Sequence, residues 1–182
     1  MTEFYKKFFD TIKLQLENSE LEQLNSISEK LKKIKRGNKV IIIGNGGSAA
    51  LASHVSVDLT KNAKVRSINF NESDLLTCFS NDYGYEKAFQ KALEFYADRN
   101  DVVIIISSSG KSKNLVNAAK YAKKNKLFLI TLTGFSRNNP IKKLGNINLW
   151  VNSKAYNIIE TIHQIYLLSV VDKIIGKIEY SA

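Results

Sequence analysis

Two short segments of this chain combine residue types suited to holding an anion. Ser107-Ser108-Ser109-Gly110-Lys111-Ser112 sets four hydroxyls around one glycine. A hydroxyl donates to a phosphate oxygen without the desolvation cost of a buried ammonium, so several can line a pocket for one dianion. Helix capping accounts for one serine at such a place, not for four. Gly44-Asn45-Gly46-Gly47-Ser48 puts three glycines where the backbone can turn sharply and approach a ligand without Cβ obstruction. A helix starting there would add unpaired amides and a positive dipole end. The segment has neither the Gly-Lys-Ser/Thr ending of a Walker loop nor the third glycine of a dinucleotide turn. Taken alone, it reads equally as a structural turn or an anion site.

Residues able to move protons are few. His54 and Asp58 stand at i and i+4, facing one direction on a helix. Glu160 and His163 stand at i and i+3, about 60° apart around a helix axis. A histidine and a carboxylate on each of two helices can assemble an acid–base pair or a metal site. Plainer readings exist beside these. His54 with Asp58 also fits an exposed helix pair, and His163, between Ile162 and Ile165, fits a core or interface histidine. Glu160 lies in Ile158-Ile159-Glu160-Thr161-Ile162, where an unpaired carboxylate is expensive to bury, so it needs a partner or a ligand.

The elements that must position these groups are legible as alternating patterns. Short β-branched runs at Val40–Ile43, Val65–Phe70, Asp101–Ile106, Leu127–Leu132 and Asn146–Val151 read as strands. Amphipathic stretches read as helices at Ala49–Thr60, Glu72–Phe79, Tyr85–Ala97, from Lys113 to about Asn125, and from Tyr156 to Lys177. Ser80–Gly84 is expected to be a loop. Two helical segments come first. In the second, Leu21, Leu24, Leu31 and Ile34 recur at helical spacing, Ser19-x-x-Glu22 has the form of a capping box, and Gly37-Asn38 is the stop. The first carries Phe4, Phe8, Phe9 and Ile12, a face that either packs on the domain or forms an oligomer interface. Continuous apolar strands alternating with helices predict a parallel sheet covered on both faces. The expectation is one α/β domain, a three-layer αβα sandwich over 38–182 preceded by a helical segment over 1–37.

Composition bounds the class. The chain has 182 residues, enough for one core and not two. Its single cysteine, Cys78, cannot form an internal disulfide, and no run approaches a membrane span or a signal-peptide core, so a cytoplasmic location is expected. The net charge of +10 raises nucleic acid as a partner. The excess is almost all lysine, dispersed in sequence, without the arginine forks or motifs of nucleic-acid readers, so a solvated lysine-rich surface or a field for anionic ligands is the better reading.

Taken in order, Gly44-Asn45-Gly46-Gly47-Ser48, Ser80-Asn81-Asp82-Tyr83-Gly84-Tyr85, Ser107–Ser112 and Leu132-Thr133-Gly134 resemble the sugar isomerase (SIS) family. Within it the chain looks like the phosphoheptose isomerase group and its non-catalytic relative, the DnaA-binding initiation factor. The resemblance implies a flavodoxin-like sheet, a phosphosugar whose phosphate meets the loop of Ser107, Ser108, Ser109 and Ser112, and sugar contacts from Asn45, Gly46, Ser48, Asn81 and Asp82. It also implies a homotetramer with shared sites. The family's metal and proton-transfer set fits incompletely. His54 matches its first histidine, Asp58 takes a glutamate position, Glu160 takes a glutamine position, and Leu168 stands where the second histidine is expected. Two readings follow. One is an aldose–ketose phosphate isomerase acting on sedoheptulose 7-phosphate, with Asp58 or Glu160 as base, His163 as acid, and zinc on His54, Asp58 and Glu160. The other is a non-catalytic module that binds a sugar phosphate or a DnaA-type partner.

Overall fold

The computed structural model describes residues 2–180. Its helices are α1 (Thr2–Glu17), α2 (Leu21–Lys32), α3 (Gly47–Lys61), α4 (Ser73–Tyr83), α5 (Ala88–Tyr96), α6 (Lys113–Lys124) and α7 (Tyr156–Ile175). Its strands are β1 (Val40–Gly44), β2 (Ser67–Asn69), β3 (Val102–Ser107), β4 (Phe128–Thr133) and β5 (Ile147–Trp150). All neighbouring strands pair in parallel, in the order β2-β1-β3-β4-β5. The expected doubly covered α/β sandwich is therefore what forms.

The uniformly apolar strands follow from burial on both faces. Val40, Ile42, Val102, Ile104 and Ile106 pack on one side with Ile27 and Leu31 of α2, Val55 and Leu59 of α3, and Ile158, Ile162 and Val170 of α7. The alternate residues Ile41, Ile43, Val103 and Ile105 face Phe89 and Leu93 of α5 and Leu115, Ala118 and Ala122 of α6. The period-2 pleat divides one strand between two half-cores.

Three local expectations require correction. The Ser19/Glu22 capping box does not form: Glu20 is the N-cap without a side-chain cap, and the Ser19 hydroxyl bonds the Tyr166 hydroxyl at 2.9 Å instead. That contact ties the α1–α2 junction to α7, and a tertiary partner has outcompeted the local one. Ser80–Tyr83 is not a loop but the last turn of α4, which stops only at Gly84, at φ 82°. Polar residues there are weak breakers, and Phe79 stacks edge-on against Tyr83 one turn away (centroids 5.8 Å apart), which favours the helix. The strand expected over Val65–Phe70 shrinks to three paired residues, because only Ser67–Asn69 have a partner in β1. Helix α1 buries no residue fully; Phe8 and Ile12 pack on the core while Phe4, at 70% exposure, and Phe9 face outward. Among the described residues, no helix is long and apolar enough to cross a membrane.

Candidate functional site

In this strand order the chain reverses direction across the sheet between β1 and β3, and the crevice beyond their carboxyl ends is where open α/β sheets bind ligands. The glycine turn follows β1 and the serine loop follows β3, so both reach that crevice. Asn45 and Ser48 from the first, and Ser107, Ser108, Ser109 and Ser112 from the second, line one small cavity of about 100 Å³ with Tyr156 and Glu160. A larger cleft of about 380 Å³ adjoins it and shares Ser48, Ile106 and Glu160; its other walls include Gly47, His54, Asn157 and Gln164. Glu160 therefore stands between the two.

The serine loop is held by its backbone, which leaves hydroxyls free. Gly110 N–H donates to the Ser107 carbonyl, and Gly134 N–H donates to the Ser108 carbonyl at 2.8 Å. Gly110 has φ 63°, and a Cβ there would collide with the buried Asn139 side chain, so only glycine closes this turn. Of the four hydroxyls, Ser109 Oγ accepts the Lys111 N–H at 3.2 Å. Ser112 is the N-cap of α6 but makes no side-chain cap. Ser108 Oγ is buried with no hydrogen-bond partner among the described residues. An orphaned buried hydroxyl costs about 1–3 kcal/mol, and a ligand oxygen in the cavity would relieve it.

The opposite wall is braced by amides. Asn45 and Asn114 exchange side-chain hydrogen bonds at 3.1 and 2.9 Å, and the Tyr85 hydroxyl donates to Asn45 Oδ1 at 3.1 Å. These contacts lock the glycine turn to α6. Gly46, at φ 54°, is the N-cap of α3. A Cβ on Gly47 would run into the Glu160 carboxylate, so glycine at this position is what lets that carboxylate approach the amino end of α3. An acid there meets the positive end of the helix dipole.

The other expected chemical groups are distributed unevenly. His54 Nε2 lies 3.3 Å from Asp58 Oδ2, and Asn62 Nδ2 donates to Asp58 Oδ1 at 3.2 Å. His54 lines the larger cleft, whereas Asp58 lines neither cavity and touches the site only through His54. Among the described residues, no group of three or more His, Cys, Asp and Glu side chains is gathered so as to hold a metal. Of the expected zinc set, His54 and Asp58 lie side by side, while Glu160 stands in the wall shared by the two cavities. Leu168 packs against the core. Asn81 and Asp82 lie exposed on α4, hydrogen-bonded to each other at 3.0 Å, away from both cavities.

His163, expected as an acid, is corrected to a core residue. It is fully buried, and its Nε2 sits 3.2 Å from the Thr133 carbonyl, to which it donates, pinning α7 to the end of β4. Burial pushes its pKa down to about 4, so it is neutral at physiological pH. The sign of the linkage follows. With an unfolded value of about 6.5, the unfolded chain binds the proton more readily. The associated stability is complete above about pH 6.5 and is lost as pH falls towards 4, by about 3 kcal/mol in all. Urea unfolding at pH 7 and pH 5 should show about 2 kcal/mol of this loss in the wild type and a flatter dependence in His163→Leu.

Asn114, Tyr85, Tyr156, Asn157 and Gln164 were not anticipated. The signal for the last two was present: Asn157, Glu160, Thr161 and Gln164 form a polar stripe at helical spacing on the amino-terminal half of a mainly apolar helix.

The comparisons with known proteins agree with this architecture. A family model described as the SIS domain matches residues 3–134. The phosphoheptose isomerase of Aliarcobacter butzleri is 36% identical over 139 residues, 73% of each chain. The probable phosphoheptose isomerase of Thermoplasma acidophilum is 36% identical over 154 residues, 80% of this chain and 84% of the relative. The solved phosphoheptose isomerase GmhA of Neisseria gonorrhoeae superimposes with a TM-score of 0.86 at 25% identity, covering 95% of this chain and 96% of that one. With its sheet order, its paired loops and these relatives, the chain belongs to the SIS domain family, in the phosphoheptose isomerase group.

Proposed function

We propose that the protein is a phosphosugar isomerase that interconverts ketose and aldose phosphates, with sedoheptulose 7-phosphate as its leading substrate. The observation that carries this reading is the position of Glu160, between a cavity lined by serine hydroxyls and a larger cleft containing His54. The phosphate occupies the serine cavity, and the sugar chain extends past Glu160 into the larger cleft. Glu160 takes the proton from the carbon beside the carbonyl, exchanges it with solvent, and delivers a proton to the former carbonyl carbon, through an enediol. His54, steadied by Asp58, supplies the proton to the carbonyl oxygen and recovers it from the adjoining hydroxyl. The amino end of α3 and the serine-loop hydroxyls stabilise the negative charge. A ketoheptose phosphate incubated with the protein in deuterated water should gain deuterium at the carbon next to the carbonyl. Binding without any exchange would sink the isomerase.

Ser108→Ala separates ligand recognition from folding. Loss of the orphaned hydroxyl should weaken phosphosugar binding about 5- to 30-fold while leaving the ligand-free protein as stable as, or about 1 kcal/mol more stable than, the wild type. Isothermal calorimetry and thermal melts together check both halves.

The outward aromatic face of α1 and the exposed position of Asn81 and Asp82 also support a homotetramer whose sites are completed across subunits, with Asn81 and Asp82 serving a neighbour's cleft. Light scattering should give four chains, and Phe4→Ser/Phe9→Ser should lower that number. One observation favours the non-catalytic module instead: Leu168 cannot transfer a proton. Under that reading a DnaA-type protein is retained in pull-down and deuterium exchange is absent.

A further inference from the structure

The amino-terminal rim of the sheet, opposite the serine cavity, carries two adjoining clefts. One, of about 290 Å³, is lined by Lys30, Lys33, Lys35, Asn38, Asn100 and the start of β3 at Val102. The other, of about 440 Å³, is lined by Lys30, Asn100, Lys123, Lys126, Phe128 and the Gly145-Asn146 turn among others. Lys30 and Asn100 belong to both, so the two are continuous. We infer that these clefts form a second anion site, for a polyphosphate chain.

Charge is the first reason. Among the described residues, five lysines line the pair and no carboxylate does. None of the five is in an ion pair among the described residues, although four other lysines of the chain are. Lys30 instead lies over the Phe128 ring, 4.4 Å from its centroid, which positions the ammonium without neutralising it. Lysines at helix ends commonly offset the dipole, and Lys123 at the end of α6 can be read that way. Lys30 in the last turn and Lys33 at the C-cap of α2 can be read in the same way, whereas Lys35 and Lys126 lie outside any helix and the dipole does not explain them.

Backbone conformation is the second reason. Lys126 has φ 59° and Asn100 has φ 74°. Asparagine tolerates this region, but for lysine it costs roughly 1–2 kcal/mol relative to a helical or extended conformation. Glycine would close the turn after α6 at less cost, yet the position brings another ammonium to the cleft. Strain of this kind at a cleft is a reason to look for a ligand.

The chemistry selects the ligand class. Lysine is a compact point charge that meets phosphate oxygens from any direction. Five of them along two joined clefts suit several phosphates in a row better than one. The single aromatic wall is already covered by Lys30, so the clefts read charge. Nucleoside triphosphates and inorganic polyphosphate share that chemistry.

The test uses the full chain, calorimetry at low ionic strength, and tripolyphosphate and ATP as probes. Both should bind wild type and Ser108→Ala alike, which separates this site from the serine cavity and from the isomerase reading. Lys30→Gln/Lys126→Gln should weaken both more than about tenfold while phosphosugar binding is unchanged. ATP and tripolyphosphate losing affinity in parallel assigns the chain of phosphates as the ligand; ATP binding tighter than tripolyphosphate, with both still lysine-dependent, assigns a nucleotide source. The proposal is overturned if neither probe saturates, if the lysine variant binds as wild type does, or if a DNA duplex binds there and neither small probe does.

Discussion

Glu160→Gln is expected to lower isomerase turnover about 10²- to 10⁴-fold, the range of a lost general base, while phosphosugar affinity stays within a few-fold of wild type. The substitution keeps shape and hydrogen-bonding reach but cannot accept a proton. Among the described residues, Glu160 is the one carboxylate that lines both the serine cavity and the larger cleft. Asp58 lines neither, and its effect should come through His54, so Asp58→Asn should cost less than Glu160→Gln. Deuterium exchange measured with binding by calorimetry distinguishes the two. If Glu160→Gln still exchanged solvent deuterium at the wild-type rate, the base would have to be another group, and the assignment of the shared carboxylate would fail.

The largest expected effect on stability lies far from the site. Asp101 is fully buried at the start of β3. Its carboxylate accepts the backbone N–H groups of Lys39 and Asp98, each at 2.9 Å, and pairs with the Lys39 ammonium at 2.7 Å. The Lys39 side chain is itself only 9% exposed. Asp101→Ala removes the buried partner and leaves a buried ammonium with only the exposed Asp98 beside it. A loss of about 3–5 kcal/mol is expected, read as a shift of the urea midpoint without change of slope. Asp98→Ala, which removes a carboxylate 67% exposed to water, should cost about 1 kcal/mol or less. Equal effects of the two would show that Asp101 is not the anchor of this corner.

The sugar contacts implied by the family motif divide into those that this chain brings to the cavity and those that it does not. Asn45 and Ser48 reach the cavity because the turn after β1 opens directly onto the crevice. Asn81 and Asp82 do not, because α4 continues to Gly84 and carries them on an exposed face. Residues on such a face serve a site only if another subunit brings its cleft to them.

Strand identity, the α/β class and the two loops that meet at the cavity were legible in the sequence because each rests on local composition: β-branched runs with no polar alternation, glycines where the turn needs them, and serines in excess of what a cap requires. The roles along α7 were not. That helix is rich in apolar residues all round, and its polar stripe of Asn157, Glu160, Thr161 and Gln164 marks an open side without setting what that side faces. Adjacent helical residues point about 100° apart. Only packing decided that Glu160 and Gln164 open onto the cleft while His163 turns inward to the Thr133 carbonyl. The same holds for Ser19, whose hydroxyl found Tyr166 across the fold rather than its own helix. Local chemistry specified the parts; the rotation and docking of long helices, which depend on contacts between residues far apart in the chain, decided which of those parts meet.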